Sequence, residues 1–264
     1  ALARTRPGTL MVDAANGFFY PAFDAALGPL ASLARSNGIA ATGFTRSHHY
    51  GVAGTHAERL ADAGLLALIM GNTPEAMAAF GGRRAVFGTN PLAFAAPQRG
   101  RPALVVDMAL SEVARSKVRA AADEGEPIPA TWAVDKHGNP TTDAKAALEG
   151  TLLPIGGAKG SGLALMVEVL AVAMVGANFG FEASSFLDEQ GAPPETGQII
   201  IAIDPQGMGG ADFAERMTTL AAAIEAQEGA RLPGSRRHAL RGAANASGIE
   251  IADALIAQFG PIRV

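Results

Sequence analysis

Cysteine is absent from this 264-residue sequence, which removes disulfide frameworks, thiolate nucleophiles and Cys-based zinc or iron–sulfur sites. Charge is sparse: Asp, Glu, Lys and Arg make up 17% of the chain, and the net charge is −4. No run of Lys or Arg is long enough to track a phosphate backbone, so nucleic acid is not the expected partner. A small anionic substrate would be met by a few local cations. Long hydrophobic runs are missing too. The most apolar stretch, 161–177 (SGLALMVEVLAVAMVGA), falls short of the roughly 20 residues that span a bilayer and carries Glu168 at its centre. It reads as a helix buried on nearly every side, with no membrane contact. Residues 1–8 lack the apolar segment of a signal peptide, which with the missing thiols points to a cytoplasmic protein. The first residue is not Met, as expected of a processed or truncated fragment.

What is abundant is apolar material, at 48%. That is more than the surface of a compact monomer accommodates, and it predicts a homodimer built partly on 161–177. No internal repeat is visible. The periodicity predicts a mixed α/β domain. Helices are expected over 22–36, ending at Asn37-Gly38, over 53–63 and over about 111–122. Strands are expected at 39–44, 65–70, 104–108 and 199–203. Residues 135–140 read as a hairpin tip, and Asp212 with Glu215 has capping-box spacing at another helix start. A tail basic at Arg236, Arg237 and Arg241 ends in a short helix near 249–258. Connections of 15 or more residues interrupt the alternation, so a regular doubly wound sheet is not expected.

No G-x-G-x-x-G follows a strand and opens a helix, so the standard dinucleotide fingerprint is lacking. The nearest Gly-rich stretch, 156–162 (GGAKGSG), runs into the apolar helix. Its free backbone N–H groups and Lys159 would favour an anion, or else it is a tight turn. His48 and His49 follow a strand on a loop. One could act as general acid/base, since imidazole titrates near pH 6.5, or both could be structural. His56, His137 and His238 show no metal-ligand spacing, and no metal is expected. Thr89 sits in a Gly-Thr-Asn-Pro turn. Asp107-Met108-Ala109 ends a strand where a carboxylate can hold a ribose hydroxyl. Arg115 and Lys117 follow on a helix, able to pair with a substrate carboxylate or to face solvent.

Five strings together are more specific: SHHYGVAG (47–54), FGTNPLAFAAP (87–97), VVDMALSEVARSK (105–117), TWAVDKHGNPTTDAKAAL (131–148) and PIGGAKGSGLALMVEVLA (154–171). In order and spacing the chain resembles the type 2 malate/L-lactate dehydrogenase family, over essentially its whole length. The resemblance implies a non-Rossmann NAD(P)-binding α/β fold with a mixed or antiparallel central sheet, flanked by helices and working as a homodimer. It implies hydride transfer between NAD or NADP and a small 2-hydroxy or 2-oxo acid. Neighbouring alternatives are reduction of a cyclic imine acid, or an inactive nucleotide-binding relative.

Carried over position by position, His49 matches the family's acid/base histidine, which would accept the hydroxyl proton in the oxidative direction. Lys117 joins it in the catalytic set, and siding with the hydroxy-acid dehydrogenases follows from its being Lys where the piperideine reductases have Asp. Thr89 and Arg115 fall to the substrate. His48, Asn72, Asp107, Met108, Ala109, Lys159 and the loop Pro233-Gly234-Ser235 fall to the cofactor. Relatives also begin with a helical segment whose Ser-x-His-Gly string supplies a proton donor, and this sequence holds no such string.

Overall fold

The computed structural model describes residues 1–186, 190–209 and 212–259. In chain order it forms β1 (Leu2–Arg6), β2 (Thr9–Asp13), α1 (Phe19–Asn37), β3 (Ile39–Ser47), α2 (Ala53–Asp62) and β4 (Leu66–Gly71). Then come β5 (Met77–Ala78), β6 (Ala85–Phe87), β7 (Leu92–Ala96), β8 (Leu104–Met108), α3 (Arg115–Glu124), β9 (Ala133–Val134) and α4 (Ala144–Glu149). β10 (Thr151–Leu152) leads to α5 (Ala158–Glu168), which runs on as a π-helical turn, Val169–Ala173. β11 (Thr196–Ile203), α6 (Phe213–Glu225), α7 (Ser235–Ser247) and α8 (Asp253–Phe259) complete the chain.

Seven strands make the central sheet in the order β1-β2-β3-β11-β4-β7-β8. Every neighbouring pair is antiparallel except β2 and β3, which α1 joins by a crossover. The mixed sheet expected from the family resemblance is therefore observed. A second sheet, β6-β5-β10-β9, lies apart from it.

Two apolar clusters cover opposite faces of the large sheet. Alternation along β11 sends Ile200 to one and Ile199 to the other, and along β4 sends Ile69 and Met70 likewise. The first cluster is filled by α1 and α2. Phe19, Phe23, Ala26, Leu30 and Ala34 recur at helical spacing and are all buried against Phe44 and Ile69. Gly38 then ends α1 in the left-handed region, at φ 80°. The second cluster takes Met77, Leu110, Val118, Leu152 and Val167 from the small sheet, the connection after β8, α3 and α5.

Several expectations need correction. The stretch 161–177 is not buried on nearly every side: Leu165, Met166, Val169 and Met174 are each more than half exposed. Only one of its faces reaches the core. Nor is it one regular helix, because the π-helical turn interrupts it after Glu168. The helix expected from 111 starts at Arg115, since Ser111 instead bridges to Pro154 and its hydroxyl bonds Val113 O at 2.7 Å. Asp212 precedes α6, but its side chain makes no capping bond. The N-terminal hairpin, β7 and α7 were not anticipated. No helix among the described residues is long and apolar enough to cross a membrane.

Candidate active site

Antiparallel register decides which loops meet. Thr196 lies opposite Ser47, Gln198 opposite Gly71, and Leu92 opposite both Met70 and Met108. One rim of the sheet thus collects the ends of β3, β4 and β8 with the starts of β7 and β11. His48, His49, Asn72, Thr89, Asp107, Met108 and Ala109 all come from that rim, though up to 61 positions apart in sequence.

The histidine loop is pinned from below. The buried Tyr50 hydroxyl reaches Pro91 O at 3.2 Å and Gly71 O at 3.4 Å, and Gln198 Nε2 donates to His48 O at 3.3 Å. His56, in a cage of Phe19, Tyr20 and Phe23, bonds Tyr50 O through Nε2 at 2.9 Å. A carbonyl only accepts, so that nitrogen carries the hydrogen and Nδ1 is left bare and buried. Burial holds the His56 pKa below the ordinary value.

His48 is half-buried, stacked on Phe186, and its Nδ1 accepts the His49 amide at 2.7 Å. His49 is exposed, and its Nδ1 accepts the Gly51 amide at 2.9 Å. In both rings Nε2 therefore bears the hydrogen of the neutral form. Burial, and for His49 the adjacent His48, lower both pKa values. In this arrangement His49 presents a donor. The family resemblance gives this ring the proton-exchanging role, and here its Nδ1 is engaged by the Gly51 amide.

Asp107 lies mostly buried where β8 ends. Its Oδ2 accepts the Gly54 amide, in the first turn of α2, at 3.0 Å and Arg237 Nη2 at 3.0 Å. Between β8 and α7 opens a cleft of about 840 Å³, lined by Val105, Asp107, the loop Pro233-Gly234-Ser235 and Arg231, Arg236 and Arg237. Gly234 is required there: its φ is 84°, and a Cβ would stand 3.0 Å from Val105 O. A carboxylate suited to ribose hydroxyls beside guanidiniums suited to phosphate makes a donor set that fits a dinucleotide.

Lys159 is exposed in the first turn of α5, after Gly156 and Gly157 at φ 59° and 63°. That loop is tied to the rim, because Ile155 N–H donates to Leu110 O at 2.9 Å and Glu112 N–H to Leu153 O at 2.8 Å. Thr89 is half-buried, its amide on Thr73 Oγ1 at 3.0 Å and its carbonyl accepting Leu110 N–H at 2.8 Å. Arg115 reaches Glu75 O at 3.5 Å, at the edge of hydrogen bonding, whereas Lys117 and Met108 are exposed and Lys117 makes no ion pair among the described residues. Asn72 is fully buried and its amide is engaged with backbone, donating to Asn178 O and accepting from Gly197 N. It shapes the rim from inside. No metal-binding cluster occurs among the described residues.

The sequence profile described as malate/L-lactate dehydrogenase matches residues 1–259. The chain belongs to that family. It is 48% identical, over 88% of its length and 69% of the relative's, to a (2R)-3-sulfolactate dehydrogenase (NADP(+)) of Chromohalobacter salexigens. A Delta(1)-pyrroline-2-carboxylate reductase of Pseudomonas fluorescens is 43% identical over 97% of this chain and 77% of its own. The crystal structure of delta1-piperideine-2-carboxylate reductase from Pseudomonas syringae pv. tomato superposes with a TM-score of 0.92, at 41% identity, over 98% of this chain and 78% of that one. The chain is an oxidoreductase of this family.

Three site features escaped the sequence reading. Arg237 was noted only as part of a basic tail, and its partner lies 130 positions earlier. Phe186 gave no signal. Glu168 was weighed only against a membrane span, yet it is buried and bonded to Asn90; a charge inside an apolar run was the available clue.

Proposed function

We propose that this protein is an NAD(P)-dependent oxidoreductase that moves a hydride between the nicotinamide and C2 of a small 2-hydroxy or 2-oxo carboxylic acid. The supporting observation is the single rim on which the histidine loop, Thr89 and Asp107 converge beside an arginine-lined cleft. The nucleotide, when bound, supplies or takes the hydride. Asp107, Met108, Ala109, Lys159 and the loop 233–235 would hold it, with His48 beside them and Asn72 supporting the backbone beneath. NADP is the preferred form, in line with the NADP(+)-dependent sulfolactate dehydrogenase among the relatives.

His49 stands at the substrate's 2-oxygen. In the reductive direction its Nε2–H polarises the carbonyl and passes its proton to the 2-oxygen as the hydride reaches C2, solvent restoring the ring's proton, and in the oxidative direction the steps reverse. Thr89 and Arg115 bind the acid, Arg115 pairing with its carboxylate, and Lys117 adds positive charge at the mouth. A second reading, reduction of a cyclic imine acid, is favoured by the pyrroline- and piperideine-2-carboxylate reductases among the relatives. Purified protein assayed with NADPH against 2-oxo acids and cyclic imine acids separates the two. Oxidation of NADPH with neither class would overturn both.

The exposed apolar face at Leu165, Met166, Val169 and Met174 supports a homodimer formed over α5 and its π-helical turn. The lack of thiols suits a reducing compartment, and we place the enzyme in the cytoplasm.

A further inference from the structure

Glu168 closes α5 where the helix widens into its π-helical turn, and it is 3% exposed. Asn90, fully buried and held at φ 41°, donates from Nδ2 to Glu168 Oε1 at 3.0 Å and to Ala164 O at 3.1 Å. Two atoms of this pair have no hydrogen-bond partner, Asn90 Oδ1 and Glu168 Oε2. Turning the Asn90 amide over would not help, since it would set Oδ1 against two acceptors. Both orphans are acceptors when the acid is ionised, and one proton on Glu168 makes one of them a donor. Asn90 adjoins Thr89, and the turn 88–91 that carries both is further held by Thr73, Leu110 and Tyr50.

We propose that Glu168 is a positioning residue, standing as a neutral carboxylic acid that holds Asn90 and so fixes the turn presenting Thr89 to the substrate. The groups around it compete. Backbone N–H groups of Gly88 and Gly180 favour its charged form, as does the Asn90 amide; Glu182, on the neighbouring 178–182 loop, opposes it. Burial is the largest influence and raises the acid to about 7. Ionisation puts a full charge on a side chain only 3% exposed, a burial cost larger than the pull of the Gly88, Gly180 and Asn90 donors, and this loosens the turn.

The proposal rests on the reading of Thr89 as a substrate contact, and its test has one readout that does not. Infrared spectra of wild-type protein across pH 5.5–8.5 should show a protonated carboxylic acid band that fades near pH 7 and is missing in Glu168→Gln. In kinetics, the KM for the acid should rise with pH above about 7 while the cofactor's Kd holds steady. Glutamine, which can both donate and accept, should restore most of the activity that Glu168→Ala loses and should remove that rise. A Glu168→Gln variant as impaired as Glu168→Ala, or one that keeps the rise, would overturn the proposal. So would the absence of the infrared band. Turnover failing in wild type with the band present would instead remove the substrate reading and leave the neutral acid standing.

Discussion

Arg237 and Asp107 meet at 3.0 Å on the carboxylate oxygen that also caps the first turn of α2 through the Gly54 amide. A β-carbon at position 54 would stand 2.4 Å from Arg237 Nη1, 2.8 Å from Asp107 Oδ2 and 2.9 Å from Val105 Cγ1. Helix propensity alone would make Gly54→Ala stabilising by up to about 1 kcal/mol. The contacts reverse that sign. Gly54→Ala should lower the melting temperature and weaken NADPH binding at least about tenfold, because the residues displaced are those of the cleft. A thermal melt beside a fluorescence titration checks both, and a stabilised variant with unchanged affinity would refute the placement.

Lys159→Ala should act on binding with little effect on folding, since the side chain is exposed and no ion pair holds it among the described residues. One charge-assisted contact is worth about 1.5–3 kcal/mol, so the Kd for the nucleotide should rise roughly 10- to 150-fold. Unchanged affinity with a large drop in melting temperature would show a structural role.

His49→Asn should cut turnover by about 10²–10⁴-fold with nucleotide affinity nearly intact, and His48→Asn by less. The pH profile follows from the direction of the shift. Burial lowers the His49 pKa, so the neutral donor persists below pH 6.5 and activity should fall only under that value. A midpoint above 6.5, or the larger loss at His48, would assign the proton chemistry elsewhere.

His56 links acidity to stability. Its folded pKa lies below 6.5, so between that folded value and 6.5 the unfolded chain binds more protons than the native one. Its contribution is therefore complete above pH 6.5 and is lost as pH falls through that window. His56→Gln, whose amide can donate to Tyr50 O, should lessen the fall in melting temperature between pH 7 and 5. An unchanged slope would mean that other groups dominate.

The proposed dimer makes Leu165→Glu informative. Light scattering at micromolar concentration should give twice the chain mass for wild type and the chain mass for the variant. A monomeric wild type would leave the apolar face unexplained by self-association.

Local signals were legible wherever one element carried its own pattern. The helical spacing over 22–36 and the Gly38 stop marked α1 to within three residues, and the apolar run in β11 stood out as a central strand. Long-range relations were not. β7 is short and three of its five residues are Ala, so nothing in its composition announces a strand until β4 and β8 flank it. The burial of Glu168 depends on Asn90, 78 positions earlier, and the exposure of Leu165 on which side of α5 meets β4. The family strings singled out His49 as a candidate, and its place on the rim beside His48 was legible from the strand before it. The partner of its Nδ1 was not, because the Gly51 amide reaches it through a turn at φ 63°.

The mixed sheet also has a second rim. There Ile203 faces both Ile39 and Leu66, Ala96 faces Leu104, and the connections are turns through Gly38, Gly64 and Gly100. None of the proposed ligand contacts comes from these turns, and neither Gly64 nor Gly100 has any atom within 4 Å of the space a side chain would take. Chemistry and connectivity are therefore divided between the two ends of the same strands. Evolution or engineering can lengthen, tag or shorten one end and leave the other to its reaction, so that the mutational histories of the two rims are free to run at different speeds.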